Sequence, residues 1–514
     1  MFVEKHRDYF LFIICFIILI VAWLLQSNLF INWDSSVLMR EAQLLLTGGN
    51  YGSDFLEINP PMCIYLYILP VVLTKIFPIN MILALRLYVF VICSLSLFVC
   101  YGLLQKIFSI KDTFLFFIFF SVLLTVFLIF PVTDFSEREH LILVLTVPYF
   151  FAFSARLQGN SLGSVQAIMV GVLAGIGFAI KPFFLITFFF LEIYYIVSTK
   201  NKYAWVRKET TIIILLLFVY LLSVVLFYKS YINFIIPLVS RFYYASIQDS
   251  YREIILYPCA FFCYYIAALF FLVQNKENPY KVLSTVLFIA LIGYLFAYFI
   301  QQTAWSYHLL PANSVAILLA SLLFCVVITR IKNNQREYWL TPILMVVFFA
   351  FPIYVITSSL SNGLAYKNDQ ANLITFFKKY AQHKSICSFQ ASIAVIFPAV
   401  DYANVNFPCR NLALIWMPNT VRQTKIHPNI IATQQLQHDE AIFINMISED
   451  LTIHKPDFIL VDVLKQRFYS ENISFSYLEH LLKNKQFQIA WKNYSYFTTV
   501  SKDVIYKFDV YQRK

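Results

Sequence analysis

Four carboxylates, Asp34, Glu41, Asp54 and Glu57, fall within residues 32–61 (NWDSSVLMREAQLLLTGGNYGSDFLEINPP), directly after an apolar run. An acidic loop pinned to a membrane surface is costly unless it binds or reacts with something. Further along, Asp134, Glu137, Arg138, Glu139 and His140 crowd into TDFSEREH, Lys181 stands in GIGFAIKPFF, and His308 in WSYHLLP. These are the side-chain types of general acid–base chemistry. A carboxylate in a partly dry cleft can be raised towards neutrality and take a proton. The pattern points to a membrane enzyme whose chemistry lies at the edge of the bilayer.

The elements that must position these residues follow from composition. The 514 residues are 60% hydrophobic and only 13% charged, about half the charge of an ordinary soluble domain, so much of the chain belongs in lipid. The formal net charge of +11 does not indicate nucleic acid, because Lys and Arg cluster in short loops between apolar runs. Taking roughly 20 apolar residues per span, the candidates are 9–30, 82–104, 113–131, 141–157, 165–180, 183–199, 210–230, 254–274, 282–300, 310–328 and 339–358. The short run 62–77, with Pro70 and Lys75, is expected to be a juxtamembrane or re-entrant segment on the outer face. With it excluded, the basic loops share one side, as the positive-inside rule requires. The expected architecture is a polytopic α-helical membrane domain, 1–358, of about eleven spans. Its first span is uncleaved, its N-terminus cytoplasmic, and residues 31–81 form an outer loop.

The tail, 359–514, turns mixed and polar and reads as a small extracytoplasmic α/β domain. ANLITFFKKYAQH and YLEHLLKNK read as helices. SICSFQ, DFILVDV, QIAWKNYSYFTTV and DVIYKFDVY read as strands. Cys387 and Cys409 both lie in this tail and could pair in an oxidising compartment, while geometry decides whether they do. The sequons at Asn472 and Asn493 carry little weight.

On this topology Asp34, the 134–140 cluster, Lys181 and His308 fall at one membrane level. Their order resembles that of the GT-C glycosyltransferases, the class that includes the protein O-mannosyltransferases and the lipid A aminoarabinose transferases. That class carries an Asp in the first outer loop and a Gly…Tyr…Pro-Pro stretch. An acidic residue follows in the second outer loop, then a Lys in a Gly-rich span and a Tyr…Pro span start. The matching positions are Asp34, residues 49–61, Glu137 or Glu139, Lys181 and residues 307–311, with Arg86 opening a span. The resemblance covers most of 1–330. Asn59 stands where the aminoarabinose transferases have a Lys before the Pro pair, and Ser35 where they have a Glu.

The resemblance implies transfer of a sugar from a polyprenyl-phosphate carrier to an envelope glycan, lipid or protein acceptor, in a bacterial inner membrane. Catalytic carboxylates would be Asp34 with Glu139 or Glu137. Lys181, Arg138 and His308 would bind the donor phosphate. Asp54, Glu57, Tyr307 and Tyr243 would bind substrate, and the residues leave a divalent cation open. A base on one face of the sugar with cations on the other would invert the anomeric centre.

Each residue also has a plainer reading. Asp34 could cap a helix starting at Ser35. Asp54 and Glu57 could be solvated loop residues, and Arg138 with Glu139 a helix-start ion pair. Lys181 could snorkel, His308 could be a satisfied interfacial histidine, and Tyr243, Tyr244 and Tyr251 an interfacial belt. Rival functions are a polysaccharide polymerase or ligase, which would favour Arg-rich outer loops, and a glycan transporter or flippase, which would bury charge at midplane in repeated, broken helices. No Walker loop, dinucleotide fingerprint or zinc spacing occurs, which disfavours ATP-driven transport and nucleotide-sugar chemistry.

Overall fold

The computed structural model describes residues 7–109, 112–243, 247–274, 278–332, 340–426, 431–464, 475–502 and 505–514. Numbering α-helices of seven or more residues, α1 (Arg7–Asn28) leads into α2 (Trp33–Leu46) through an 82° bend. Then follow α3 (Pro61–Ile76), α4 (Met81–Ile107), α5 (Thr113–Leu128), α6 (Arg138–Leu157), α7 (Ser164–Ile180), α8 (Leu185–Thr199), α9 (Lys208–Phe227), α10 (Pro258–Val273), α11 (Lys281–Gln301), α12 (Leu310–Lys332) and α13 (Leu340–Phe376). Among the described residues seven helical segments are long and apolar enough to cross a membrane, or eight if α1 and α2 count as one broken span. Helices α3, α5, α7 and α10 are apolar but 16 or 17 residues long, short of the roughly 20 that a perpendicular span uses.

Helix α6 is the axis of the bundle: every residue from Arg138 to Ala155 is buried. Helix α7 lies against it because Gly177 has no Cβ. An added Cβ would stand 2.8 Å from Thr146 Cγ2 and 2.9 Å from Leu145 Cβ. Gly293 lets α11 lie as closely against α8, where a Cβ would meet Thr187 Oγ1 at 2.6 Å. The polar cluster lies at neighbouring ends of α6, α7 and α11: Arg138 and Glu139 open α6, Lys181 follows α7 and Gln301 closes α11.

Helix α13 continues far past residue 358, so one unbroken helix joins the bundle to the tail. Beyond it a four-stranded sheet has the order β1–β2–β4–β3, from β1 (Ile386–Phe389), β2 (Phe458–Asp462), β3 (Tyr494–Lys502) and β4 (Tyr506–Arg513). β1 and β2 are parallel; the other pairs are antiparallel. Alternate residues of β2 feed two cores: Phe458 and Leu460 pack with Phe508 and Val510, Ile459 and Val461 with Trp416, Phe443 and Phe487. That is the period of two expected of a strand covered on both faces. Helices α14 (Trp416–Ile426), α15 (Ile431–Ile453) and α16 (Lys485–Trp491) complete the layer. The strand expected over QIAWKNYSYFTTV is corrected in its first half. Asn484 accepts a hydrogen bond from Phe487 N and starts a helix through Trp491, so β3 begins only at Tyr494. Cys387 and Cys409 form a disulfide with Cα atoms 5.8 Å apart. The sequon at Asn472 lies outside the described residues.

Helix α2 is the wedge between bundle and tail. Arg40 donates to Phe407 O (2.6 Å) and Cys409 O (3.2 Å), Ser36 donates to Asp401, and Trp33 meets Tyr366 edge-on at 5.6 Å.

Candidate functional site

The helix is capped by Asn32, two residues before Asp34, so the plainer reading of Asp34 as the cap does not hold. The helix starts at Trp33, and the Asn32 side chain accepts from Asp34 N at 2.8 Å. The Asp34 carboxylate is thereby left free of capping and instead accepts from Arg138 Nη2 at 2.6 Å. Arg138 opens α6, and its guanidinium also holds Glu137 Oε1 through Nη2 (2.6 Å) and Nε (3.1 Å). The turn before it is fixed by Ser136, which adopts φ +76°, uncommon for a residue with a side chain. Ser136 N donates to His140 Nδ1 (3.2 Å), its carbonyl accepts from Tyr67 (2.5 Å), and its hydroxyl reaches Ser35 (2.9 Å). His140 is thus a turn anchor, with its other ring nitrogen 2.7 Å from Phe127 O.

Lys181 follows α7. Pro182 disfavours helical geometry at the residue before it, and Lys181 is extended (φ −135°, ψ 122°). Its ammonium donates to Glu139 and to Gln301 Oε1 (3.2 Å), the last residue of α11. Tyr307, His308 and Trp305 form the neighbouring wall. The Lys181 ammonium lies 5.8 Å from the Tyr307 ring centroid. His308 Nε2 is 3.6 Å from Glu139 Oε1, and its Nδ1 pairs with Thr303 Oγ1 at 2.7 Å. Asp249 braces this wall by accepting from Ala304 N at 2.6 Å.

A cavity of about 710 Å³ opens over these groups. Asp34, Glu57, Arg138, Lys181, Tyr307 and His308 line it, and the tail contributes Arg410, Leu412 and Trp416. Glu137 and Glu139 do not reach it. Both side chains are fully buried behind the two cations, whereas Asp34 is 14% exposed and Arg138 and Lys181 are each 7% exposed. Burial, opposed by Arg138, pushes the Glu137 carboxyl up to about 7. Asp54 is turned away: it accepts from Asn50 N (2.9 Å) and Ser53 Oγ (2.8 Å) on the loop surface. The Tyr243 side chain and all of Tyr244 lie outside the described residues.

One feature of the arrangement differs from the sequence picture. Arg138 stands beside Asp34 and not across from it, so Lys181 is the cation not bonded to Asp34. No group of three His, Cys, Asp or Glu side chains gathers as a metal ligand set among the described residues. With Arg138 already on Asp34, the donor set does not fit a divalent cation. Gln301, Thr303 and Arg410 are lining residues that sequence reasoning missed, since a lone amide, hydroxyl or guanidinium in a polar loop has no distinguishing spacing.

No protein-family model and no curated protein sequence matches the chain. Among solved structures it is similar to the archaeal oligosaccharyltransferase AglB from Archaeoglobus fulgidus, determined in complex with an inhibitory peptide and a dolichol-phosphate. The identity is 11% and the TM-score 0.46, over 98% of this chain and 74% of that one.

Proposed function

We propose that this chain is an integral membrane glycosyltransferase that moves a sugar from a polyprenyl-phosphate donor to an envelope acceptor at the outer membrane face. One observation carries the reading. Asp34, Arg138 and Lys181, from three separate segments, meet in one cavity at the ends of apolar helices, each held by buried partners. The donor lipid would lie in the bilayer with its phosphate at Lys181, while Arg138 holds Asp34. The acceptor oxygen attacks the anomeric carbon, the bond from that carbon to the phosphate oxygen breaks, and the hydroxyl proton passes to the Asp34 carboxylate. Negative charge grows on the departing phosphate, where the fixed Lys181 ammonium stabilises it more than it stabilises the bound donor. Glu137 and Glu139 are positioning residues in this scheme, orienting the cations without touching substrate. The tail, through Arg410, Leu412 and Trp416, would close the acceptor side.

The direct test is to supply proteoliposomes with labelled polyprenyl-phosphate hexoses and determine the anomeric configuration of the product. A single displacement predicts inversion. Product with retained configuration contradicts it, and labelled lipid that changes leaflet without losing its sugar supports the transporter instead.

A further inference from the structure

Trp33, Trp305 and Trp416 all line the cavity, and the scheme above uses none of their rings. Trp416 is buried and stacked on Phe443 at 4.9 Å, and Trp33 packs edge-on against Tyr366. Trp305 is placed differently. It is only partly buried and stands next to Tyr307, with ring centroids 5.7 Å apart and planes 31° from parallel. The Lys181 ammonium lies 5.8 Å from the Tyr307 centroid, so the two rings adjoin the cation assigned to the donor phosphate. Among the described residues neither the Trp305 indole N–H nor the Tyr307 hydroxyl has a hydrogen-bond partner, and neither atom is sealed from solvent. The loop that carries them is pinned. Asp249 N donates to Gln302 O at 3.0 Å, the Asp249 carboxylate accepts from Ala304 N at 2.6 Å, and His308 N donates to Trp305 O at 3.1 Å. The His308 ring, itself buried, touches both aromatic rings, at 5.4 Å from Trp305 and 4.4 Å from Tyr307.

We propose that Trp305, together with Tyr307, is the platform on which the pyranose ring of the donor stacks, so that the site binds the sugar as well as the lipid phosphate. The assignment rests on the glycosyl-transfer reading. A pyranose carries C–H bonds of slight positive charge on its ring faces and hydroxyls around its rim. An aromatic ring is negative on its face, and indole adds an N–H at its edge. One ligand therefore satisfies both, with C–H groups on the ring and a hydroxyl accepting from the indole N–H or the Tyr307 hydroxyl. The position agrees with the chemistry. The donor sugar is joined to its phosphate through a single oxygen, so a phosphate held at Lys181 leaves the sugar within reach of the rings beside that ammonium. A tryptophan of the interfacial belt sits at headgroup level among lipids. Trp305 instead lines a protein cavity, on a loop fixed by its hydrogen bonds to Asp249. The platform favours a pyranose with an uninterrupted C–H face over the same lipid phosphate without a sugar.

The test compares wild type, Trp305→Phe and Trp305→Leu as full-length protein in proteoliposomes. Two probes are bound to each: a labelled polyprenyl-phosphate hexose, and the same polyprenyl phosphate without sugar. Single-turnover transfer is measured alongside. Wild type should bind the hexosyl lipid more tightly than the bare one. Trp305→Leu keeps bulk but has no aromatic face. It should weaken the hexosyl lipid about tenfold, the order of one aromatic contact with its buried area, and leave the bare lipid unchanged. Trp305→Phe keeps a face and loses the N–H, and should stay within about threefold of wild type. Retained binding of the bare lipid also shows that the Lys181 site has folded. Equal weakening of both lipids in Trp305→Leu would make the indole a packing residue and overturn the platform. Unaltered hexosyl-lipid binding in that variant, in a protein that transfers sugar, overturns the platform and leaves the transfer reading standing. The same holds for a wild type that transfers sugar yet binds the two lipids equally. A wild type that binds neither lipid and transfers nothing overturns the platform together with the reading beneath it.

Discussion

At the scale of residues, the site consists of cations each held by buried carboxylates, and this sets what substitution will do. Lys181 neutralises Glu139, whose side chain is fully buried. Removing one member of a buried pair costs on the order of 3–5 kcal/mol because the other is left uncompensated. Lys181→Met should therefore both destabilise the protein and abolish transfer. Adding Glu139→Gln should restore the thermal midpoint without restoring transfer, because the phosphate still lacks its cation. Recovery of transfer in the double variant would remove Lys181 from the phosphate site. Glu137 supplies a pH signature. Its folded-state carboxyl is raised to about 7 by burial, against about 4.3 in the unfolded chain. The folded state then binds the proton more tightly, so this contribution to stability is full below the unfolded value and is lost as pH rises through about 7. Denaturation midpoints should fall over that window in wild type and fall less steeply in Glu137→Gln; parallel profiles would contradict the assignment.

At the scale of elements, the position of Lys181 depends on α7 seating against α6 through Gly177. Gly177→Val should force the helices apart, costing about 1–3 kcal/mol by overpacking. It should also lower transfer, although residue 177 touches no substrate, and thermal unfolding with a transfer assay reads both effects. Wild-type behaviour in both would mean that the α6–α7 contact does not position Lys181. Much of this layer is legible in the sequence. The apolar runs read as helices, Lys181-Pro182 breaks one from the next, and TDFSEREH announces a polar turn before α6. Other parts are not. That Asn32 takes the cap and frees Asp34 depends on which of two polar residues, two positions apart, adopts non-helical geometry, a choice the two side chains alone leave undecided. That Glu57 lines the cavity and Asp54 does not is a matter of how a glycine-containing loop closes. The boundary between α16 and β3 also escapes a pattern reading, because an alternating apolar run of that length suits either element.

At the scale of the whole molecule, two cores meet along α2. Leu38, Met39 and Ala42 belong to the bundle core and Val37 to one face of the sheet, while Ser36 and Arg40 bind the tail and Asp34 faces the cavity. The cavity exists only because bundle and tail are both present, with Asp34 and Lys181 from one and Arg410 and Trp416 from the other. The resemblance that runs through residues 1–330 does not extend to the tail, so the acceptor wall is the part of the site that motif order could not anticipate. Asp34 is the carboxylate of the basic cluster that reaches this shared space. The most direct measurement is single-turnover sugar transfer from a labelled polyprenyl-phosphate donor in proteoliposomes, wild type against a folded Asp34→Asn variant. The account predicts a loss of about 10²–10⁴ in the transfer rate, the usual contribution of a positioned base, with donor binding retained through Lys181. Equal rates in the two proteins would contradict it.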